Sequence, residues 1–161
     1  MGRKPRCDGC GAELRDCSEV VSVTLPRCGV IASVRAPARS CAGCGEVRVD
    51  ASVLRHAGLS IACELADRGI HSGDALRHMR KALGLRAIDL AQLLDVTPET
   101  ISHWETGKAL PTRAAFATVA AMVEEAVEGR TVTRDRLAAV AERRKYPRVL
   151  EVRLRTPSSR A

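Results

Sequence analysis

Four of the seven cysteines in this 161-residue chain fall into two matching units, Cys7-Asp-Gly-Cys10-Gly11 and Cys41-Ala-Gly-Cys44-Gly45, with thirty residues between them. Two residues between cysteines let both sulfurs reach one tetrahedral ion from a tight turn. The glycine that follows permits the positive φ that aims backbone N–H groups at sulfur. Because the unit is repeated, the spacing points to one structural Zn2+ bound by Cys7, Cys10, Cys41 and Cys44. Four protein ligands leave no open position for water, so such an ion is not catalytic. The alternatives are unliganded thiols on turns and a thioredoxin-like redox pair. The latter needs a single C-x-x-C at a helix start within a βαβ unit, and the duplication argues against it. Of the remaining cysteines, Cys63 falls near the apolar positions of a helix and reads as a buried thiol. Cys28 precedes a glycine in a turn, as a substitute ligand or an oxidisable thiol, and Cys17 has no assigned role.

A second constellation lies at 83–108. Two short apolar-faced stretches, one with Leu90, Ala91 and Leu94 and one with Ile101 and Trp104, flank a break at Asp95-Val96-Thr97. Ala91 is small where two helices must cross, and Thr97-Pro98 supplies an N-cap with proline in the first helical position. This is helix-turn-helix geometry, with Glu99, Thr100, Ser102 and His103 turned away from Ile101 and Trp104 toward a major groove. From Ser72 to Val127 the block resembles the Cro/C1-type (XRE-like) helix-turn-helix, whose signature reads here as Thr100-Ile-Ser-His-Trp-Glu-Thr-Gly-Lys-Ala-Leu-Pro111. The expected DNA-contacting set is Arg86, Thr97, Glu99, Thr100, Ser102, His103 and Lys108. Arg86 and Ala87 stand where the family places a capping Ser or Thr and a Gln. Asp95 replaces a common glycine but tolerates a left-handed backbone. Glu99 is repelled by phosphates unless it accepts a hydrogen bond from a cytosine amino group, whereas His103 suits guanine or a phosphate.

His103-Trp-Glu105 also has the H-x-E form of zinc deaminases, but both C-x-x-C units precede it and Glu105 belongs to the helix-turn-helix signature. No Ser-His-Asp set, paired acids or phosphate loop stands out, and the expectation is that the chain is not an enzyme.

The elements that must position these groups follow from periodicity. Short β-rich runs at 20–25, 30–34 and 46–49, set among Gly and Pro, predict a small β domain over 1–50. Asp50 stands ready to cap a connector helix within 51–71, with Val53, Leu54, Ala57, Ile61 and Leu65 at helical spacing and Gly69 to end it. Ser72 is an N-cap for a block of four short helices over 72–129, and Leu110 to Val127 is the expected dimerising region. Within 130–161, Thr133 caps a further helix through Arg144, Tyr146-Pro147 closes it, 150–155 alternate like a half-buried strand, and 156–161 read as a disordered tail.

A cysteine domain with short strands, a connector helix and then a Cro-like block resembles the MqsA/YgiT-type antitoxins of bacterial type II toxin–antitoxin systems, from about Cys7 to Val127. The resemblance implies structural zinc on Cys7, Cys10, Cys41 and Cys44, toxin docking through the N-terminal part, dimerisation through the C-terminal part and repression at a palindromic operator. It also implies that Glu99 and His103 take the places where family members use Asn and Arg to read bases. The alternative is a zinc-ribbon transcription regulator without a toxin. The fold class expected is α+β multidomain: a β-rich four-cysteine zinc domain, an all-α helix-turn-helix domain and a basic C-terminal extension.

Composition bounds these readings. With 45% apolar and 28% charged residues the chain is globular, and 2% aromatic content means a core of small aliphatics. No apolar run reaches membrane-spanning length, and the start Met-Gly-Arg-Lys-Pro-Arg has no apolar segment behind its charges, so a cytoplasmic chain that neither spans a membrane nor is secreted is expected. The net charge of +7 points to nucleic acid, yet 72–129 hold six basic residues against eight acidic ones while 130–161 hold ten against three. The DNA-reading motif is therefore not the source of the charge. The arginines at 130, 134, 136, 143, 144, 148, 153 and 155 are the candidates for nonspecific phosphate attraction.

Overall fold

The computed structural model describes residues 5–142, 148–149 and 151–152. Two long antiparallel strands, β1 (Leu14–Leu25) and β2 (Val30–Cys41), form a hairpin in register from Leu14 opposite Cys41 to Leu25 opposite Val30. The short β3 (Val47–Arg48) pairs only with Arg39 and Ser40, giving the sheet order β1-β2-β3. Both main strands are longer than the β-rich runs at 20–25 and 30–34. Their extensions are rich in Arg, Ala, Ser and Pro, which carry little strand propensity, and cross-strand pairing decides the matter. Pro37 is tolerated because β2 has no second neighbour there.

Helix α1 (Ala51–Asp67) follows, with Asp50 at its N-cap position. The Asp50 carboxylate does not cap the helix by a side-chain hydrogen bond; it faces Arg39 at 3.9 Å. Gly69 ends the helix in the left-handed region at φ 61°, with Ile70 N–H returning to the Leu65 carbonyl at 3.0 Å. The apolar face runs through Ala57, Ile61, Ala62 and Leu65, while Leu54, expected on it, is 45% exposed. The four expected short helices are α2 (Gly73–Ala82), α3 (Ala87–Leu93), α4 (Pro98–Glu105) and α5 (Arg113–Val127). Ser72 Oγ caps α2 through the Ala75 N–H at 3.1 Å, and Thr97 Oγ1 caps α4 through the Thr100 N–H at 3.2 Å. Asp95 adopts φ 53° in the turn between α3 and α4.

Helix α6 (Val132–Ala141) begins before the expected Thr133: Thr131 is its N-cap residue. Thr133 instead donates its N–H and hydroxyl to the Glu125 carboxylate, each at 2.7 Å, so a residue of α5 tethers the start of α6. Arg144, Tyr146, Pro147 and the tail 156–161 lie outside the described residues. Of the expected strand at 150–155, only Glu151 and Val152 are described, and neither is in a strand.

One apolar core unites these elements. Leu76, Met79, Leu90, Ile101, Val119 and Val123 are buried with Trp104 and Phe116, and α1 adds Ile61 and Leu65. The hairpin contributes Leu25, with Val23, Val30, Ala32 and Val34 packed alongside. Residues 51–71, expected as a connector, thus form a wall of the helical block, and the turn end of the hairpin docks on it. Cys63 is half-buried against the same core, and burial pushes its thiol up. On α5, Ala115, Phe116, Val119, Met122 and Val123 face this core, leaving Leu110 and Val127 as the exposed apolar ends of the expected dimerising region. No helix among the described residues is long and apolar enough to cross a membrane.

Candidate metal centre and nucleic-acid interface

At the open end of the hairpin the two C-x-x-C-G units fold into matching knuckles. In the first, Cys7 N–H bonds Ala12 O at 2.9 Å and Gly11 N–H bonds Cys7 O at 2.8 Å; in the second, Cys41 N–H bonds Glu46 O at 2.9 Å and Gly45 N–H bonds Cys41 O at 3.0 Å. Gly11 and Gly45 sit at φ 72° and 74°, where a side chain would be strained. Because β1 and β2 pair Leu14 with Cys41, the two knuckles face each other across thirty residues of sequence.

The four sulfurs lie within 4.8 Å of one another, with Cys10 Sγ to Cys41 Sγ at 3.3 Å and Cys7 Sγ to Cys44 Sγ at 3.8 Å. A tetrahedron with metal–sulfur bonds of about 2.3 Å has edges of about 3.8 Å, so the set fits one four-coordinate ion. Cys7 and Cys41 are buried, Cys10 and Cys44 exposed. Backbone N–H groups of Cys44 and Gly43, then the Cys10 thiol, lower the Cys41 thiol to about 6. At Cys44 the Glu46 backbone acts in the same sense, but the sulfurs of Cys41, Cys10 and Cys7 outweigh it and push the thiol up to about 12. Sulfurs this close cannot all shed their protons unless a cation stands between them, and a divalent ion supplies that charge. The cluster can therefore hold a metal ion.

Arg48, unremarked in the sequence, braces both knuckles. Its guanidinium reaches Asp8 of the first at 2.5 Å and Glu46 of the second at 3.1 and 3.2 Å. Those carboxylates hold the Arg48 proton more firmly than usual, Glu46 first. Cys28 sits in the turn at the opposite end of the hairpin, donating to Leu25 O at 3.5 Å, too far along the strands to substitute as a ligand.

The helical pair places its expected DNA-facing residues unevenly. On α4, Glu99, Ser102 and His103 are exposed while Ile101 and Trp104 are buried, so the outer face is open as the spacing requires. Thr100 is half-buried, its hydroxyl 3.2 Å from that of Thr97. Lys108 is exposed just past the helix, its N–H on His103 O at 2.9 Å. The Glu99 carboxyl is held below its ordinary range by its own backbone N–H and then by Thr97. Arg86 is already paired, its guanidinium reaching Asp89 at 2.7 to 3.2 Å. Asp89 also accepts the Arg86 N–H at 2.9 Å, so the third residue of α3 caps a start whose own residue is the wrong type.

Sequence reasoning missed a buried polar cluster behind α4. Glu105, the last residue of α4, takes Arg80 of α2 on both carboxylate oxygens at 2.5 and 2.9 Å, and Arg80 also donates to Leu85 O at 2.7 Å. Glu105 is visible in the Trp-Glu-x-Gly-Lys string, but nothing in the spacing selects Arg80 as its partner.

Residues 72–125 match the family model of the helix-turn-helix domain. No curated protein and no solved structure matches the chain. The matched segment spans α2 to α5 and leaves out the hairpin, the cysteine knuckles, α1 and α6. A helix-turn-helix with an open second helix defines the class: this is a DNA-binding regulator carrying a hairpin whose four cysteines are placed to hold a metal ion.

Proposed function

We propose that the chain is a sequence-specific repressor that also serves as the antitoxin of a type II toxin–antitoxin system, with one structural Zn2+ on Cys7, Cys10, Cys41 and Cys44. It has no catalytic role, works in the cytoplasm and binds a palindromic operator as a homodimer. The observation that carries this reading is the joining, in one chain, of an open helix-turn-helix face to a four-cysteine hairpin whose strand β1, past the bond from Leu14 N–H to Pro5 O at 3.0 Å, has no second strand beside it among the described residues. An unpaired strand edge is a template for another chain, which suits a toxin partner. Zinc suits four thiolates in a closed tetrahedral set.

Ser102 and His103 are the base readers in this proposal, with Thr97, Thr100, Arg86 and Lys108 toward the backbone and Glu99 selecting for a cytosine amino group. The arginines after Gly129 add phosphate attraction that the slightly acidic block lacks; truncation there flattens the salt dependence of DNA binding, and an unchanged slope assigns them elsewhere. Arg143, Arg144, Arg153 and Arg155 of that set lie outside the described residues.

Purification of the native complex with metal analysis tests the whole. A small co-purifying protein, one zinc per chain and bound operator DNA are expected. Zinc and DNA without a protein partner leave a stand-alone regulator, and loss of DNA binding removes both readings.

A further inference from the structure

The hairpin turn meets the helix-turn-helix chiefly through Arg27, beside a contact from Ser72 Oγ to Cys28 Sγ at 3.7 Å. Arg27 donates its backbone N–H to Asp74 Oδ2 at 2.8 Å and its Nη1 to Asp74 Oδ1 at 2.6 Å, and the same Nη1 reaches the backbone carbonyl of Glu105 at 2.9 Å. Asp74 lies in the first turn of α2 and is only 8% exposed. Glu105 is the last residue of α4, so Arg27 grips the recognition helix at its carbonyl end, where the helix dipole favours a cation.

The surroundings are shaped for this contact. A Cβ on Gly107 would stand 2.9 Å from Arg27 Cδ, so the glycine two residues past α4 leaves room for the arginine stem. A Cβ on Gly73 would fall 1.8 Å from Trp104 O, so the start of α2 lies directly against the backbone of α4. Leu25, 2% exposed, fixes the approach of the turn by packing into the common core. Three segments far apart in sequence, the hairpin turn, the start of α2 and the end of α4, therefore meet at one joint. An eight-residue helix makes little more than two turns, so the groups that hold its ends set its tilt.

We infer that Arg27 is a positioning residue for DNA reading: the β1–β2 hairpin, through Arg27, fixes the recognition helix against α2 in the orientation that presents Ser102 and His103 to base edges. The inference rests on the DNA-binding reading of α4. Its consequence is that the hairpin belongs functionally to the DNA-binding unit, although the helix-turn-helix match begins only at residue 72. Each strand runs twelve residues from the turn to the cysteine end, so about 40 Å of hairpin separates the knuckles from this joint.

The test uses the full metal-loaded chain and two fluorescent duplexes, one enriched from a random-sequence pool by the wild-type protein and one of the same composition scrambled. Arg27→Ala should weaken the enriched duplex by about tenfold, the scale of hydrogen bonds to charged groups, and leave the scrambled duplex within about twofold. Arg35→Ala removes the same charge from the same hairpin, where the guanidinium reaches Ser18 at 3.4 Å, and should leave the preference intact. Asp74→Asn should lower the preference in the same sense by a smaller factor, and combining it with Arg27→Ala should add nothing further. If Arg27→Ala melts below the titration temperature, Asp74→Asn carries the same comparison. Equal weakening of both duplexes would show that Arg27 is merely a cation near phosphate, and wild-type affinity in both variants would show that the joint positions nothing. Failure of the wild-type chain to enrich any duplex would instead remove the DNA-binding reading, and the inference with it.

Discussion

Around the four cysteines the buried residues are Cys7 and Cys41 themselves, with Ala36 and Ala38 farther along β2. Around Trp104 they are Leu76, Met79, Leu90, Ile101, Val119 and Val123. The cysteine end thus has almost no apolar surface to hide, and its order rests on knuckle hydrogen bonds, the Arg48 brace and the ion its thiols can bind. The helical block has an ordinary aliphatic core and needs no ion. Between them β1 changes character along its length, exposed and polar toward the knuckles and packed on the core at Leu25. One chain therefore uses two independent sources of stability, and the difference predicts which perturbation each end feels.

The largest expected effect breaks the cysteine end alone. Cys41→Ser or a strong chelator should remove the metal, whose binding contributes on the order of 10–16 kcal/mol to folding in small zinc modules. Amide exchange should then quicken across residues 7–16 and 39–48 while the helical circular-dichroism signal stays. A helical block that melts with metal loss would undo the comparison.

Next comes the helical block. Arg80→Ala leaves the buried Glu105 carboxylate with only the more distant Arg77, at 3.9 Å, and should cost about 3 kcal/mol in denaturant unfolding, with metal content unchanged. Replacing both with apolar residues, Arg80→Met with Glu105→Leu, should restore most of that. If the double variant is no better than the single one, the pair does more than neutralise itself.

A smaller effect concerns recognition. His103→Ala should cost roughly 1–3 kcal/mol on the enriched duplex and leave the salt slope nearly unchanged. It should not alter metal content or the melting of either region, because His103 is exposed. Equal losses on random DNA would remove it as a base reader.

The smallest is a pH effect at the start of α3. The Arg86 side chain, then the Arg86 backbone N–H, hold Asp89 down at about 2, against about 3.9 in an unfolded chain. A folded value below the unfolded one means a contribution complete above the unfolded value and lost as pH falls through the folded one. Melting curves from neutral pH down to about 2 should show less acid loss in Asp89→Asn than in wild type. An identical acid profile would show that the Arg86 pair contributes nothing. Acid also protonates the thiolates, so metal release in the same scan reports the other end separately.

The four-cysteine cluster was the most legible part of the sequence, because C-x-x-C-G encodes its own turn and a repeat of it supplies four sulfurs that can share one ion. The helix-turn-helix was nearly as legible: Ser72, Thr97-Pro98, Asp95 and the Ile101–Trp104 face act through local capping, backbone freedom and helical period. Strand length was not, since the polar halves of β1 and β2 become strand only through each other. Nor was the start of α6, because Glu125 reaches Thr133 from the preceding helix.

Spacing and residue type alone thus determined that four cysteines can share an ion and that a short capped helix presents Glu99, Ser102 and His103 outward; both follow from contacts within a few residues. Only the tertiary structure decided that α1 is a wall of the core, that Arg80 neutralises Glu105, and that Arg27 ties the hairpin turn to Asp74 and to the end of α4. Those contacts join residues 25 to 78 positions apart. A buried charge is satisfied by whichever partner folding brings near, and no local pattern records that choice.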